Sequence, residues 1–164
     1  MATEEFATEV AEILALLRAR GESLSVAESL TGGLLGGALT QVAGSSDVFL
    51  GGVVAYNARI KSELLDIPAE LIADRGVVSR EVAVAMASAV ARITGSDWAI
   101  ATTGVAGPGA SEGVPAGTVW IAIAGPEAPG LPLSQLLTLH GGRQEIRIAT
   151  IARALEAFTR ILRG

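Results

Sequence analysis

Apolar residues recur along the chain at two spacings, one typical of helices and one of strands. Helical spacing appears first over residues 4–19, where Phe6, Val10, Ile13, Leu14 and Leu17 share one face. It returns in the stretches "TGGLLGGALTQV", 58–65, 80–93 and 143–162. Strand-like runs lie between them: "SLSVAES", "DVFLGGVVAY", "DWAIATTG", "TVWIAIA" and "LSQLLTL". Strands that alternate with helices predict an α/β protein, with a three-layer α/β/α domain around a mixed β-sheet across residues 1–164.

Several residues at the predicted boundaries suit the start or the end of an element. Gly21 and Gly95 stand where helices are expected to end, and Pro68 can begin a helix. Ser79 is a plausible N-cap for the alanine-rich helix that follows it. The paired glycines in "FLGGVV" predict a bulge or a bend in that strand.

Composition narrows the classes of function. The chain has no cysteine and one histidine, His140, so a zinc site is not expected, and we predict that no metal or other cofactor is needed. No apolar run reaches the roughly 18 residues of a transmembrane helix, and the acidic start "MATEEFATEV" resembles no targeting peptide. We therefore expect a cytoplasmic protein without membrane contact.

The charge pattern argues against a nucleic-acid partner. The net charge is −5, and the basic residues do not cluster beyond "RQEIR". A nucleic-acid surface needs clustered lysine and arginine, so none is expected. A small anion held by one arginine and a few backbone N–H groups remains compatible with this charge.

The stretch "AESLTGG" places Ser29 where a strand turns into a helix. A serine at such a turn can act as a nucleophile, because the positive end of the helix dipole favours an alkoxide, an oxyanion or a phosphate. A plainer interpretation is that Ser29 or Thr31 caps the helix and that the glycines only form the turn.

The stretch "YNARIK" holds the chain's only lysine, Lys61, against 11 arginines. Lysine can lose its proton when it is desolvated, whereas arginine remains charged. A retained lysine is therefore a candidate general base, with Tyr56 close to it in sequence. A chance surface lysine in an arginine-rich chain is the alternative.

Two later stretches could bind an anion. The loop "TTGVAGPG" follows an apolar strand and can offer backbone N–H groups, although it matches neither a Walker A loop nor G-x-G-x-x-G. In "HGGRQEIR", Arg143 begins a predicted helix and could donate two hydrogen bonds to a phosphate or a carboxylate. A turn-rich loop and a solvated arginine are the alternatives.

Taken together, these stretches resemble the CinA C-terminal domain family, also called the PncC-type nicotinamide mononucleotide deamidases. The matching pieces are "VAESLTGGLL", "VAGSSDVFLGGVVAYNARIKSELL", "GVVSREVAVAMASAV", "ATTGVAGPG", "GTVWIAIA" and "GGRQEIR". They occur in the family's order and span about residues 5 to 160.

The resemblance implies an amidohydrolase that converts nicotinamide mononucleotide to nicotinic acid mononucleotide and ammonia. It implies Ser29 as nucleophile, with Lys61 and Tyr56 beside it as catalytic residues. It also implies homo-oligomers. The substrate-binding positions that match the family are Thr31, Gly32, Gly33, Ser46, Thr103, Gly104, Gly107, Pro108 and Arg143. A non-catalytic nucleotide-binding or regulatory module, linked to competence or the DNA-damage response, is the alternative function.

Three positions depart from the family pattern. Leu30 stands where the family often has cysteine, and Gly142 stands where an aspartate usually precedes the arginine. The stretch "EGVPAGTV" also lacks a basic residue that is often found there. The glycine at 142 removes an acidic partner for Arg143 and is the feature that favours the non-catalytic alternative. With one histidine far from the serine motif, a neutral lysine is the remaining good candidate for the base.

Overall fold

The structure, a computed structural model, describes residues 4–126 and 133–164. Five strands form one mixed sheet in the order β2-β1-β3-β4-β5. Strand β1 runs parallel to both β2 and β3, and the pairs β3–β4 and β4–β5 are antiparallel. The strands are β1 (Leu24–Glu28), β2 (Phe49–Val54), β3 (Trp98–Gly104), β4 (Thr118–Ala124) and β5 (Leu133–Thr138).

Helices cover both faces of the sheet, which confirms the predicted three-layer α/β/α architecture. One apolar core joins the sheet to α1, α2 and α6, and a second joins it to α3, α4 and α5. The helices are α1 (Ala7–Arg20), α2 (Leu34–Thr40), α3 (Ala58–Leu65), α4 (Ala69–Arg75), α5 (Arg80–Thr94) and α6 (Arg143–Arg163), with short 3-10 turns at Glu4–Phe6 and Ser45–Asp47. None of these helices is long and apolar enough to cross a membrane.

The predicted boundary residues lie where helices begin or end. Gly21 and Gly95 follow α1 and α5 with φ of 66° and 71°, a left-handed conformation that glycine adopts at little cost. The Ser79 hydroxyl accepts a hydrogen bond from the Val82 N–H at the start of α5, and Pro68 precedes α4. The sequence therefore predicted these ends for physical reasons that the structure confirms.

The predicted irregularity in β2 is also present. Leu24 pairs with Phe49, but Ser25 pairs with Gly51, so the register of β1 against β2 shifts at this point. Gly52 faces the neighbouring strand so closely that a Cβ there would lie 2.6 Å from the Val26 carbonyl oxygen. The close approach of the two strands thus requires glycine at this position.

The topology brings three strand ends to one edge of the sheet. Because β1, β2 and β3 are parallel, their carboxyl ends lie side by side. Ser29 follows β1, Tyr56 follows β2, and the glycine-rich loop follows β3. Ligands of open α/β sheets bind at this edge, and the candidate site is found here.

Candidate active site

Ser29 stands directly after β1, at the start of a turn that leads into α2. Its N–H donates to the Thr102 carbonyl oxygen at 3.0 Å, which extends the β1–β3 pairing by one residue. The side chain is largely covered, with 7% of the residue exposed. Helix α2 begins only at Leu34, so the nucleophile candidate sits on a turn over residues 29–33 and not on the helix itself.

Lys61 reaches Ser29 from α3. The side chain of Asn57 caps this helix by accepting the Arg59 N–H at 2.9 Å, and Lys61 lies one turn further on. The Lys61 Nζ lies 2.8 Å from the Ser29 Oγ and 2.7 Å from the Ala55 carbonyl oxygen. The structure therefore brings the chain's only lysine into hydrogen-bond contact with the candidate nucleophile.

The Lys61 amine is buried, and burial changes its acidity. Only 1% of the residue is exposed. Desolvation disfavours the charged form and lowers the pKa of Lys61 from its ordinary value of 10.5 to about 8. No carboxylate among the described residues forms an ion pair with it. The amine is thus neutral in about a tenth of molecules at pH 7, as a general base requires.

Tyr56 lies at the mouth of the site and is tied to Arg143. Its hydroxyl oxygen accepts a hydrogen bond from the Arg143 guanidinium at 2.9 Å, and 60% of the residue is exposed. Among the described residues, Lys61 forms hydrogen bonds with Ser29 and the Ala55 carbonyl oxygen and none with Tyr56, so the expected catalytic role of Tyr56 stays a prediction. The Tyr56 O–H itself remains a donor that a substrate could use.

Arg143 spans the cavity entrance. At the first position of α6, it donates at 2.8 Å to the Gly107 carbonyl oxygen as well as to Tyr56. The missing aspartate at position 142 therefore does not leave the arginine without a partner. A guanidinium has five N–H donors, so three remain for an anion.

A cavity of about 590 Å³ joins these groups. Its wall includes four of the family-matched binding positions: Thr103 and Gly104 at the end of β3, and Gly107 and Pro108 on the loop that follows. The Thr103 hydroxyl donates at 2.7 Å to the Val77 carbonyl oxygen and so joins the end of β3 to the segment before α5. The lining residues are Ser29, Leu30, Tyr56, Asn57, Ala58, Lys61, Val77, Val78, the stretch 103–112 and Arg143.

The "TGG" turn lies behind Ser29, away from the cavity lining. The carboxylate of the buried Glu28 accepts N–H groups from Gly33 at 3.2 Å, Leu35 at 2.9 Å and Gly36 at 3.0 Å. The anion-binding end of α2 is thus already occupied by the protein's own carboxylate. The interpretation that this helix end holds a phosphate or an oxyanion is therefore corrected.

The other two residues of that turn also make contacts within the protein. The Gly32 N–H donates to the Ser29 carbonyl oxygen at 3.0 Å. The Thr31 hydroxyl is fully buried and lies 2.8 Å from the Thr102 hydroxyl. Thr31, Gly32 and Gly33 therefore shape the turn, and the structure does not place them against the cavity.

Ser46 is the one matched position that the structure places far from the cavity. It lies in the 3-10 turn that precedes β2, whereas Tyr56 follows the same strand. The exposed Ser46 thus stands at the opposite edge of the sheet from Ser29. Ser46 therefore does not line the cavity of its own chain, and its expected role in substrate binding stays a prediction.

Sequence reasoning missed two charged residues that hold the Ser29 turn. Glu28 precedes the nucleophile and takes the N–H groups described above. Arg147 lies one turn after Arg143 on α6 and donates at 2.9 Å to the Leu30 carbonyl oxygen and at 3.2 Å to that of Thr31. The i, i+4 spacing of Arg143 and Arg147 was the available indication that both face the same region.

Comparison with known proteins decides the family. Residues 7–162 match the family model described as CinA C-terminal domain. The chain belongs to the CinA C-terminal domain family. A "CinA-like protein" from Synechococcus sp. strain RCC307 is 50% identical over 147 residues, which cover 87% of this chain and 34% of that protein. One from Parasynechococcus marenigrum strain WH8102 is 46% identical, covering 92% of this chain and 36% of that protein. The chain thus spans about a third of the length of these relatives.

Solved structures of the CinA superfamily share the fold. The competence damage-inducible protein A from Klebsiella pneumoniae superimposes with a TM-score of 0.92 at 33% identity, covering 96% of this chain and 97% of that one. A competence/damage inducible protein from Agrobacterium tumefaciens gives a TM-score of 0.89 at 36% identity, covering 100% and 97%. These matches confirm both the family and the predicted fold class.

Proposed function

We propose that this CinA-family chain is an amidohydrolase that converts nicotinamide mononucleotide to nicotinic acid mononucleotide and ammonia by a Ser-Lys mechanism. The observation that carries the proposal is the contact of 2.8 Å between the Lys61 Nζ and the Ser29 Oγ in a buried site. A nucleophile and a base within hydrogen-bond reach, with the base oriented by a third group, is the arrangement of serine hydrolases. Here the Ala55 carbonyl is the orienting group.

In the first half of the reaction, the neutral Lys61 amine accepts the proton of the Ser29 hydroxyl. The Ser29 Oγ then attacks the carboxamide carbon, and the carbonyl oxygen becomes an oxyanion. Lys61 returns the proton to the amide nitrogen, the carbon–nitrogen bond breaks, and ammonia leaves. An acyl-enzyme ester on Ser29 is the product of this half.

In the second half, water replaces the amine. Lys61 is neutral again after ammonia has left, so it accepts a proton from water. The hydroxide attacks the ester carbon, the bond to the Ser29 Oγ breaks, and Lys61 protonates that oxygen. Nicotinic acid mononucleotide is released, and Ser29 and Lys61 return to their initial states.

Arg143 and the loop after β3 support a phosphorylated substrate. With the helix end at α2 taken by Glu28, the Arg143 guanidinium and the backbone around Gly107 are the donors that could bind a phosphate at the cavity entrance. Gly107 has a φ of 90° and lies at the cavity wall, a conformation that favours glycine. A phosphate at this entrance would leave the nicotinamide end of the substrate pointing inward to Ser29.

The alternative function, a binding module without turnover, fits the lysine less well. A buried amine without a carboxylate partner costs free energy of folding. A protein that only binds a nucleotide would gain nothing from a lysine in contact with a serine and out of reach of solvent. We therefore favour the catalytic function over the binding module.

Ammonia release from nicotinamide mononucleotide by the purified protein tests the proposal. We expect steady turnover, with nicotinic acid mononucleotide identified by mass, and loss of turnover in Ser29→Ala. Tight binding of the nucleotide without any ammonia would favour the binding module instead. Sedimentation of the same sample would test the expected homo-oligomer.

A further inference from the structure

The Ser29 turn contains two backbone N–H groups that the fold leaves unused. Among the described residues, no acceptor is found for the N–H of Leu30 or the N–H of Thr31, although both residues are almost completely buried. Buried N–H groups without a partner are rare in proteins, so an unpaired pair beside a nucleophile needs an explanation. Their neighbours in the turn, Gly32 and Gly33, both have acceptors.

Arg147 holds the Ser29 turn from the side of α6. Its guanidinium donates to the carbonyl oxygens of Leu30 and Thr31 and is itself held at 2.9 Å by the Gln144 side-chain oxygen. In a planar trans peptide the C=O and the following N–H point in opposite directions. The N–H groups whose peptides Arg147 contacts are therefore those of Thr31 and Gly32, and Arg147 holds Leu30 through its carbonyl oxygen. Of the two unpaired N–H groups, only that of Leu30 belongs to a residue that lines the cavity.

The sequence leaves space for this contact. Gly32 has a φ of 57°, and a Cβ at that position would lie 3.1 Å from an Arg147 nitrogen. A larger residue there would be strained and would crowd the guanidinium.

We propose that Arg147 is a positioning residue that holds the Ser29 turn with the N–H group of Leu30 available as an oxyanion donor. The inference rests on the proposed function, because it assigns a group that stabilises the oxyanion formed when Ser29 attacks. In many serine hydrolases the N–H of the residue after the nucleophile has this task, and Leu30 occupies that position and lines the cavity.

The first test compares variants of two arginines on α6. Arg147→Met should lower kcat by about 10- to 100-fold while KM for nicotinamide mononucleotide stays within about twofold, because the turn acts on the transition state and not on substrate binding. Arg147→Lys, which can reach one carbonyl, should recover part of the loss. The matched control is Arg153→Met, since Arg153 lies on the same helix in an exposed ion pair with Glu156, and it should leave both constants unchanged.

The second test does not depend on the natural substrate. A fluorophosphonate reagent forms a bond between its phosphorus and the Ser29 Oγ, fluoride leaves as the phosphorus–fluorine bond breaks, and Lys61 takes the serine proton. The phosphoryl oxygen then accepts hydrogen bonds where the oxyanion would. The rate at which Ser29 is labelled, measured by mass spectrometry, should therefore fall by about 10- to 100-fold in Arg147→Met and stay unchanged in Arg153→Met.

The outcomes separate the two proposals. Labelling of Arg147→Met within about threefold of wild type, with the fold intact by circular dichroism, would overturn the role of Arg147. Absence of labelling in the wild type would overturn it together with the nucleophile. A third outcome is that the wild type is labelled normally, Arg147→Met is labelled slowly, and neither protein deamidates nicotinamide mononucleotide. This outcome would contradict the proposed substrate and support the positioning role of Arg147.

Discussion

Replacing Lys61 by methionine tests the buried amine through protein stability. Methionine fills a similar volume without a charge. The pKa of Lys61 is lowered from 10.5 in the unfolded chain to about 8 in the folded one. Between these two values the unfolded chain binds more protons than the folded chain, so the stability that depends on Lys61 rises with pH in this window.

The magnitude follows from the pKa difference. Each pKa unit corresponds to about 1.4 kcal/mol, so burying the protonated amine costs about 3 kcal/mol below pH 8, and the cost vanishes above about pH 10.5. From about pH 7 to about pH 9.5 the wild type should gain about 2 kcal/mol relative to Lys61→Met. Any difference between the hydrogen bonds that the charged and the neutral amine make to Ser29 and Ala55 is already contained in the pKa of Lys61 in the folded protein.

Urea unfolding of both proteins at the two pH values measures this difference. Other titrating groups are common to both proteins, so they cancel as well. A free-energy difference between wild type and Lys61→Met that does not change with pH would show that the amine has an ordinary pKa in the folded protein. The assignment of Lys61 as general base would then lose its physical basis.

Three further predictions concern the substrate, metals and the Ser29 turn. Arg143→Ala should lower kcat/KM for nicotinamide mononucleotide by roughly 10- to 150-fold but change that for nicotinamide riboside little, and equal losses on both would show that Arg143 does not bind the phosphate. Deamidation should survive EDTA, because the described residues contain no group of three His, Cys, Asp or Glu that could hold a metal; loss of activity that zinc or manganese restores would contradict this. Glu28→Gln should lower the free energy of unfolding by about 2–3 kcal/mol in the same urea assay, because three N–H groups lose a charged acceptor. The control Glu63→Gln changes an exposed residue and should cost less than about 0.5 kcal/mol. Equal effects of the two substitutions would contradict the capping role of Glu28.

The sequence predicted the elements well because their limits depend on local chemistry. The glycines after α1 and α5 and the cap at Ser79 act within a few residues of their own position. The order of strands and the contact of Lys61 with Ser29, 32 residues apart, depend on how the elements pack. The unusual lysine drew attention to Lys61, but only the fold shows that it is buried and in contact with Ser29.

The sequence could not show which of the candidate binding stretches face the cavity. The glycine-rich stretch before α2 predicts a ligand-binding site, because a helix end with free N–H groups attracts anions. At α2 the last residue of β1, Glu28, satisfies those groups first, which depends on a strand ending next to the helix. Ser46 was matched by its motif, but β2 separates it from the cavity in the same chain.

The most direct test of the Ser29–Lys61 pair is the deamidation rate of Lys61→Arg beside Lys61→Ala and Ser29→Ala. Arginine keeps the positive charge and much of the length of lysine but does not give up its proton. If Lys61 is the base, Lys61→Arg should release ammonia from nicotinamide mononucleotide nearly as slowly as the other two variants, because residues that act as one unit give similar losses. A Lys61→Arg protein within about tenfold of wild type would contradict the Ser-Lys mechanism and assign Lys61 to substrate binding.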